Sequence, residues 1–177
     1  MNKRYLLILL IVAQLAVPSW LIASTENILK NGVAFKFKTA PVDPYDIFRG
    51  RYVALSSDQR TVDLKQGEKY YNGQDVYLIL ENDQEGFAKV VRAQYNKPLM
   101  GDYIKGTARY QYENQLQFDI KISRYYMSEK KAPKAEGLYR KISRQGVQDA
   151  YILVRVYNGK PLIEDLYIKD KPIGSYF

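Results

Sequence analysis

Two patterns divide the chain. Residues 5–23, YLLILLIVAQLAVPSWLIA, are apolar, with Gln14 as the only strongly polar interruption. A run of that length covers a hydrocarbon core of roughly 30 Å as a helix. Pro18 is expected to kink the helix near its far end, and Trp20 to sit at the far interface. A cleaved signal peptide is the competing reading. Its apolar region is normally shorter, and cutting after Ala23 or Ser24 puts Leu21 or Ile22 where a small residue is wanted. The run therefore reads as an uncleaved anchor. Lys3 and Arg4 precede it, while residues 24–30 carry one acid and one base. The positive-inside rule then leaves the N-terminus in the cytoplasm and the remainder outside. This divides the chain into an anchor over 1–24, a linker over 25–31 and an extracytoplasmic β-rich domain over 32–177.

Past Gly32 the spacing shortens to two. Val33, Phe35 and Phe37 alternate with Ala34, Lys36 and Lys38, which predicts a half-buried strand with a cationic outer face. Further strands are predicted at about 51–57 and over 75–81, the latter apolar enough to be central. Residues 82–86, NDQEG, read as a hairpin loop before a strand at 87–95. Acids at alternate positions ahead of Gly86 imitate a calcium loop, but its twelfth position, which needs a bidentate Glu, is Arg92. After a turn at 97–101, strands are expected at about 102–112 and 116–122, where Leu116, Phe118, Ile120 and Ile122 share one face. Loops this short are expected to join antiparallel neighbours. Gly106 marks a bulge or a close packing partner. Within 131–145, Ala135, Leu138, Tyr139 and Ile142 fall at helical spacing between Pro133 and Gly146, predicting one short helix. Asn158-Gly159, between strands at 150–157 and 161–169, is a strong hairpin signal. Residues 171–177 read as an exposed or loosely docked end. The fold class is mainly β: an antiparallel sheet, sandwich or partly open barrel with one short helix, behind a single N-terminal transmembrane helix.

Residues 40–57, APVDPYDIFRGRYVALSS, concentrate demanding residue types. Pro41 and Pro44 fix their own φ and push the preceding residues toward extended backbone. Asp43 and Asp46 can accept turn-closing backbone hydrogen bonds. Arg49 and Arg51 bring planar cationic forks within reach of those carboxylates. Gly50 admits a conformation or approach barred to other residues, and Tyr52 opens the next strand. Arg49 is expected to fold back onto Asp46 or Asp43, with Arg51 more exposed. This stretch resembles the signature of the GDYXXLXY family of membrane-anchored bacterial proteins, with matches at Pro41, Val42, Asp43, Pro44, Asp46, Phe48, Arg49, Gly50, Tyr52 and Leu55. Arg51 stands where the name-giving Asp would be, and Ser57 where the final Tyr would be. YIKG at 103–106 and RYYMSE at 124–129 look like weaker downstream blocks. The resemblance implies a membrane-anchored protein and brings no biochemical activity with it.

Composition narrows the chemistry. The chain has no Cys and no His, which excludes disulfides, thiolate catalysis, Ser-His-Asp triads and His-based zinc sites. Seventeen tyrosines favour pleated surfaces. An enzyme would need a carboxylate pair, and Asp43 with Asp46 is the candidate for an envelope hydrolase. A turn pinned by ion pairs explains the same residues more simply. Ser56 and Ser57 lack a Gly-x-Ser-x-Gly elbow. A second cluster, Arg124, Tyr125, Tyr126 and Glu129, either pins the passage from strand to helix or reads a partner, since Arg and Tyr are enriched in binding hot spots. The net charge of +8, from 27 basic and 19 acidic residues, is surface solubility charge or serves anionic envelope material. An outward-facing domain rarely meets nucleic acid.

The reading is a non-catalytic protein of the bacterial inner membrane, single-pass, with neither cofactor nor metal. Its expected partners are the membrane and an envelope or integral-membrane protein, or an anionic envelope component. Asp43, Asp46, Arg49, Gly50, Tyr52, Arg124, Tyr125 and Glu129 are its candidate binding residues.

Overall fold

The computed structural model describes residues 3–40, 52–54, 56–57, 59–122, 124–126, 134, 137 and 150–176. A continuous helix, α1, spans Lys3–Asn31 and includes Pro18. It is long and apolar enough to cross a membrane, and among the described residues nothing covers its apolar stretch. Residues 25–31, expected as a linker, form its last two turns, where Ile28 is buried and α1 packs on the hairpin of Ala150–Tyr157 and Lys160–Ile168.

The remainder is mostly strand, in two five-stranded antiparallel sheets. The first runs β12 (Lys171–Pro172), β11 (Lys160–Ile168), β10 (Ala150–Tyr157), β1 (Val33–Ala40), β3 (Ser56–Ser57). Along β1, Phe35 and Phe37 point into the core while Lys36 and Lys38 face outward, as their alternation requires. The hairpin turn falls at Asn158 (φ 50°) and Gly159 (φ 74°), the pair of positive φ values that suits the twist of the flanking strands.

The second sheet runs β4 (Thr61–Asp63), β8 (Gln115–Ile120), β7 (Tyr103–Tyr112), β5 (Asp75–Asn82), β6 (Ala88–Gln94). Its curvature brings the outer strands β4 and β6 close, and Gln59 bridges them. The side-chain oxygen of Gln59 accepts from Val90 N–H at 2.7 Å and its amide donates to Val90 C=O at 2.8 Å, so one side chain replaces a rung of the missing ladder. The sheet is thus almost a closed barrel. Its interior, with Leu78, Ile104, Leu116 and Phe118, is continuous with Phe37, Ile152, Val154 and Leu166 of the first sheet. Backbone bridges Lys36 to Phe87 and Ile104 to Gly159 tie the sheets together.

Two further expectations change, and a third goes untested. The strands β6 and β7, joined by a short loop, are not neighbours. β7 pairs with the opposite edge of β5, placing β5 in the middle and freeing β6 to meet β4. The end of the chain is not loose: β12 pairs with β11, and Ile173 in the following 3-10 turn (Ile173–Tyr176) is fully buried. The helix expected over 131–145 lies outside the described residues except at Lys134 and Gly137, whose backbone is helical.

Candidate functional site

The two clusters singled out by the sequence meet. β2 (Tyr52–Ala54), which opens just after Gly50, pairs antiparallel with β9 (Arg124–Tyr126), setting Tyr52 opposite Tyr126, Val53 opposite Tyr125 and Ala54 opposite Arg124. This two-stranded ribbon is a sheet of its own, separate from both five-stranded sheets, and β9 lies against β11. Residues seventy or more positions apart therefore share one backbone ladder. Asp43, Asp46, Arg49, Gly50 and Glu129 lie outside the described residues, so the expected Arg49 ion pair and the Asp43/Asp46 pair do as well.

The position of the ribbon follows from β1. Its first residue, Val33, adjoins the helix, and its last, Ala40, immediately precedes the signature. Seven steps of about 3.3 Å separate these ends by roughly 23 Å. Ala40 and Thr39 pair with Ser56 and Ser57 of β3, and the Thr39 hydroxyl donates to Ala150 C=O at 3.1 Å, closing this corner. The signature strands thus sit at the end of the domain remote from α1.

Beside this corner the outer face of the first sheet carries an aromatic and cationic cluster that the sequence reading missed. Tyr151 and Tyr167 stack with ring centres 5.1 Å apart, and Phe87 meets Tyr151 edge-on at 5.7 Å. Lys36 Nζ lies 5.1 Å from the Tyr151 ring centre and Lys38 Nζ 4.8 Å from that of Phe87, with Lys38 also paired to Glu85 at 2.6 Å. The available signal was the nearly symmetric spacing of Tyr151 and Tyr167 about Asn158-Gly159, which puts them opposite each other across the hairpin. The Glu85 loop is held by Asp83, whose carboxylate accepts from Glu85 and Phe87 N–H at 2.9 and 2.8 Å.

Burial first, and then its hydrogen bond to the Asp170 carboxylate at 3.1 Å, push the Tyr151 hydroxyl up to about 12. The unfolded chain loses this proton near 10 while the folded chain keeps it to about 12, so stability is full below pH 10 and falls as pH rises through that window. Tyr70, raised to about 12 by burial and the nearby Glu68, acts in the same direction. Tyr151→Phe is expected to flatten the decline without abolishing it, as read from urea midpoints at pH values across the window.

Among the described residues no three acidic side chains converge on a point that could hold a metal ion. Fold and sequence together define the class: a β domain of two antiparallel sheets, one almost closed, carried behind a helix apolar enough to span a membrane. The chain belongs to the GDYXXLXY protein family, whose model matches residues 14–166, a span that takes in the end of the apolar run, β2 and β9. No curated protein matches the chain, and neither does any solved structure.

Proposed function

We propose that this is a non-catalytic, single-pass protein of the bacterial inner membrane, its N-terminus cytoplasmic and its β domain outside, which binds another membrane protein through the β2–β9 ribbon. The observation that carries this reading is that the signature strand and the Arg124-Tyr125-Tyr126 strand form a ladder apart from both core sheets, at the end remote from α1. The missing His and Cys support a binding role over a catalytic one.

The rival reading, hydrolysis by Asp43 and Asp46, makes a different prediction. For a binding protein, Arg124→Ala with Tyr125→Ala should abolish crosslinking to a co-purifying membrane protein while leaving the melting temperature within a few degrees of the parent. Asp43→Asn and Asp46→Asn should act mainly on stability. Loss of cellular function in either Asp variant, with crosslinking and melting unchanged, would overturn binding in favour of catalysis. Activity of a C-terminal alkaline phosphatase fusion tests the sidedness.

A further inference from the structure

Gln14 is the middle residue of the apolar run 5–23, about 14 Å of helix from either end, and it is exposed. Four residues further on, inside the continuous helix, stands Pro18. Proline has no N–H, so the Gln14 carbonyl loses the donor that would close its helical turn. Position 14 thus sets a backbone acceptor beside a side-chain amide that both donates and accepts. Among the described residues no hydrogen bond holds that amide. Thr25 is the contrast, because its hydroxyl is satisfied within the helix by donating to Leu21 C=O at 3.0 Å. In the middle of a hydrocarbon core there is no water to supply the missing partners, and polar groups there are met by neighbouring helices.

The attachment of the β domain says which helix can come. α1 is exposed from Leu9 to Ala23, half-buried at Ser24 and Thr25, and buried at Ile28, where β10 and β11 pack on it. At about 100° per residue, the steps from Gln14 to Thr25 and to Ile28 return to within roughly 20° and roughly 40° of the starting direction. The polar notch at Gln14 and Pro18 therefore opens on the side of α1 that the domain overhangs. Two parallel copies of this chain meeting at Gln14 would bring both domains into the space above one interface. A helix of a different membrane protein, ending or turning beneath the domain, meets no such obstacle.

We infer that Gln14 and the carbonyl freed by Pro18 form a hydrogen-bonding seat, within the bilayer, for a transmembrane helix of a different protein that presents a polar side chain at the same depth. This rests on the anchor reading and deepens the proposed binding to another membrane protein: the β2–β9 ribbon engages the partner outside, and α1 engages it inside the membrane.

Trp20 is the only Trp, and it serves as a fluorescence donor close to the notch. The full chain is reconstituted into vesicles with either of two dansylated, Trp-free probe peptides, a polyleucine transmembrane helix with one central Asn and its all-Leu counterpart. The Asn peptide is expected to reach half-maximal transfer at about a tenth of the membrane density that the all-Leu peptide needs. Gln14→Leu should erase the difference, and Pro18→Ala, which returns a donor to the Gln14 carbonyl, should reduce it. In native membranes a photocrosslinker at Leu10, on the notch side, should capture protein several-fold more than one at Val12 on the opposite side, and Gln14→Leu should remove that excess. Equal transfer to both peptides, with Trp20 still quenched by brominated acyl chains, overturns the seat and leaves the anchor standing. Equal capture from Leu10 and Val12, with crosslinking through Arg124 and Tyr125 intact, overturns the seat and leaves the ribbon reading standing. An unquenched Trp20 removes the anchor and the seat together. Transfer from the native chain to a Trp20→Phe copy dansylated at Lys3→Cys, abolished by Gln14→Leu, would make a second copy the occupant and overturns the proposal as well.

Discussion

Replacing Gly106 with Val is expected to lower the stability of the domain by about 3 kcal/mol, at the upper end of what overpacking a core costs. A Cβ at this position would lie 2.7 Å from Leu78 Cδ1 and 2.9 Å from the backbone carbonyl oxygen of Asp119, both far inside ordinary contact. Leu78 is fully buried, so its methyl has little space to retreat into, and Asp119 belongs to the β7–β8 ladder, where it pairs with Thr107. Accommodation therefore demands that one strand of the barrel slide or bow. That motion is resisted on both sides, because β7 is bonded to β5 as well as to β8. Gly174→Ala supplies the contrast: nothing lies within 4 Å of its new Cβ, and a change within about 0.5 kcal/mol is expected. Urea melts of the detergent-solubilised chain followed by circular dichroism compare the two. Equal, small effects would mean that β7 does not hold the close packing described for it.

Gly106 also shows what local sequence can convey. A glycine inside a strand pattern signals either a bulge or a close neighbour, and both are present: the glycine is packed against Leu78, and the bulge comes two residues later, where the β7–β8 register shifts between Ala108 and Tyr110. Alternation likewise foretold Phe35 and Phe37 inside and Lys36 and Lys38 outside, and Asn158-Gly159 foretold its hairpin, because each of these is decided by residues within a few positions of one another. β4 was not legible, since three residues with one buried side chain, Val62, hold too little pattern. The crossing from β6 to β7 was not legible either: a loop's length limits where the next strand can start but not which edge of β5 it chooses. Above all, nothing near Tyr52 points to Tyr126. The candidate residues were recognisable as two groups by composition, while their union in one ribbon depends on the rest of the chain bringing distant segments to the same corner.

Ile173→Ala is expected to lower stability by about 3 kcal/mol, in the range for emptying a fully buried aliphatic site. The residue has no exposed surface and belongs to the same core as Ile152, Leu166 and Ile168. Its mooring explains why a terminal segment is so well fixed. β12 pairs Pro172 with Tyr167 and Lys171 with Ile168, the Ser175 hydroxyl donates to Pro172 C=O at 2.7 Å, and the Tyr176 hydroxyl returns to Ile168 C=O at 2.8 Å. These contacts swing the chain back over β11, so Ile173 plugs the first sheet from outside the hairpin. The segment reads as a loose tail because Ile173 lies among Lys, Pro, Gly and Ser in a stretch too short to set a period. A chain ending at Asp170 keeps the partner of Tyr151 but loses β12 and the plug. It is expected to be destabilised at least as much as Ile173→Ala, whereas Tyr176→Phe, which removes one hydrogen bond, should lose about 1 kcal/mol. Thermal melts of the three variants in one detergent order them. A truncated chain that melts with the parent would show that Ile173 is dispensable to the core and that the end of the chain is an appendage.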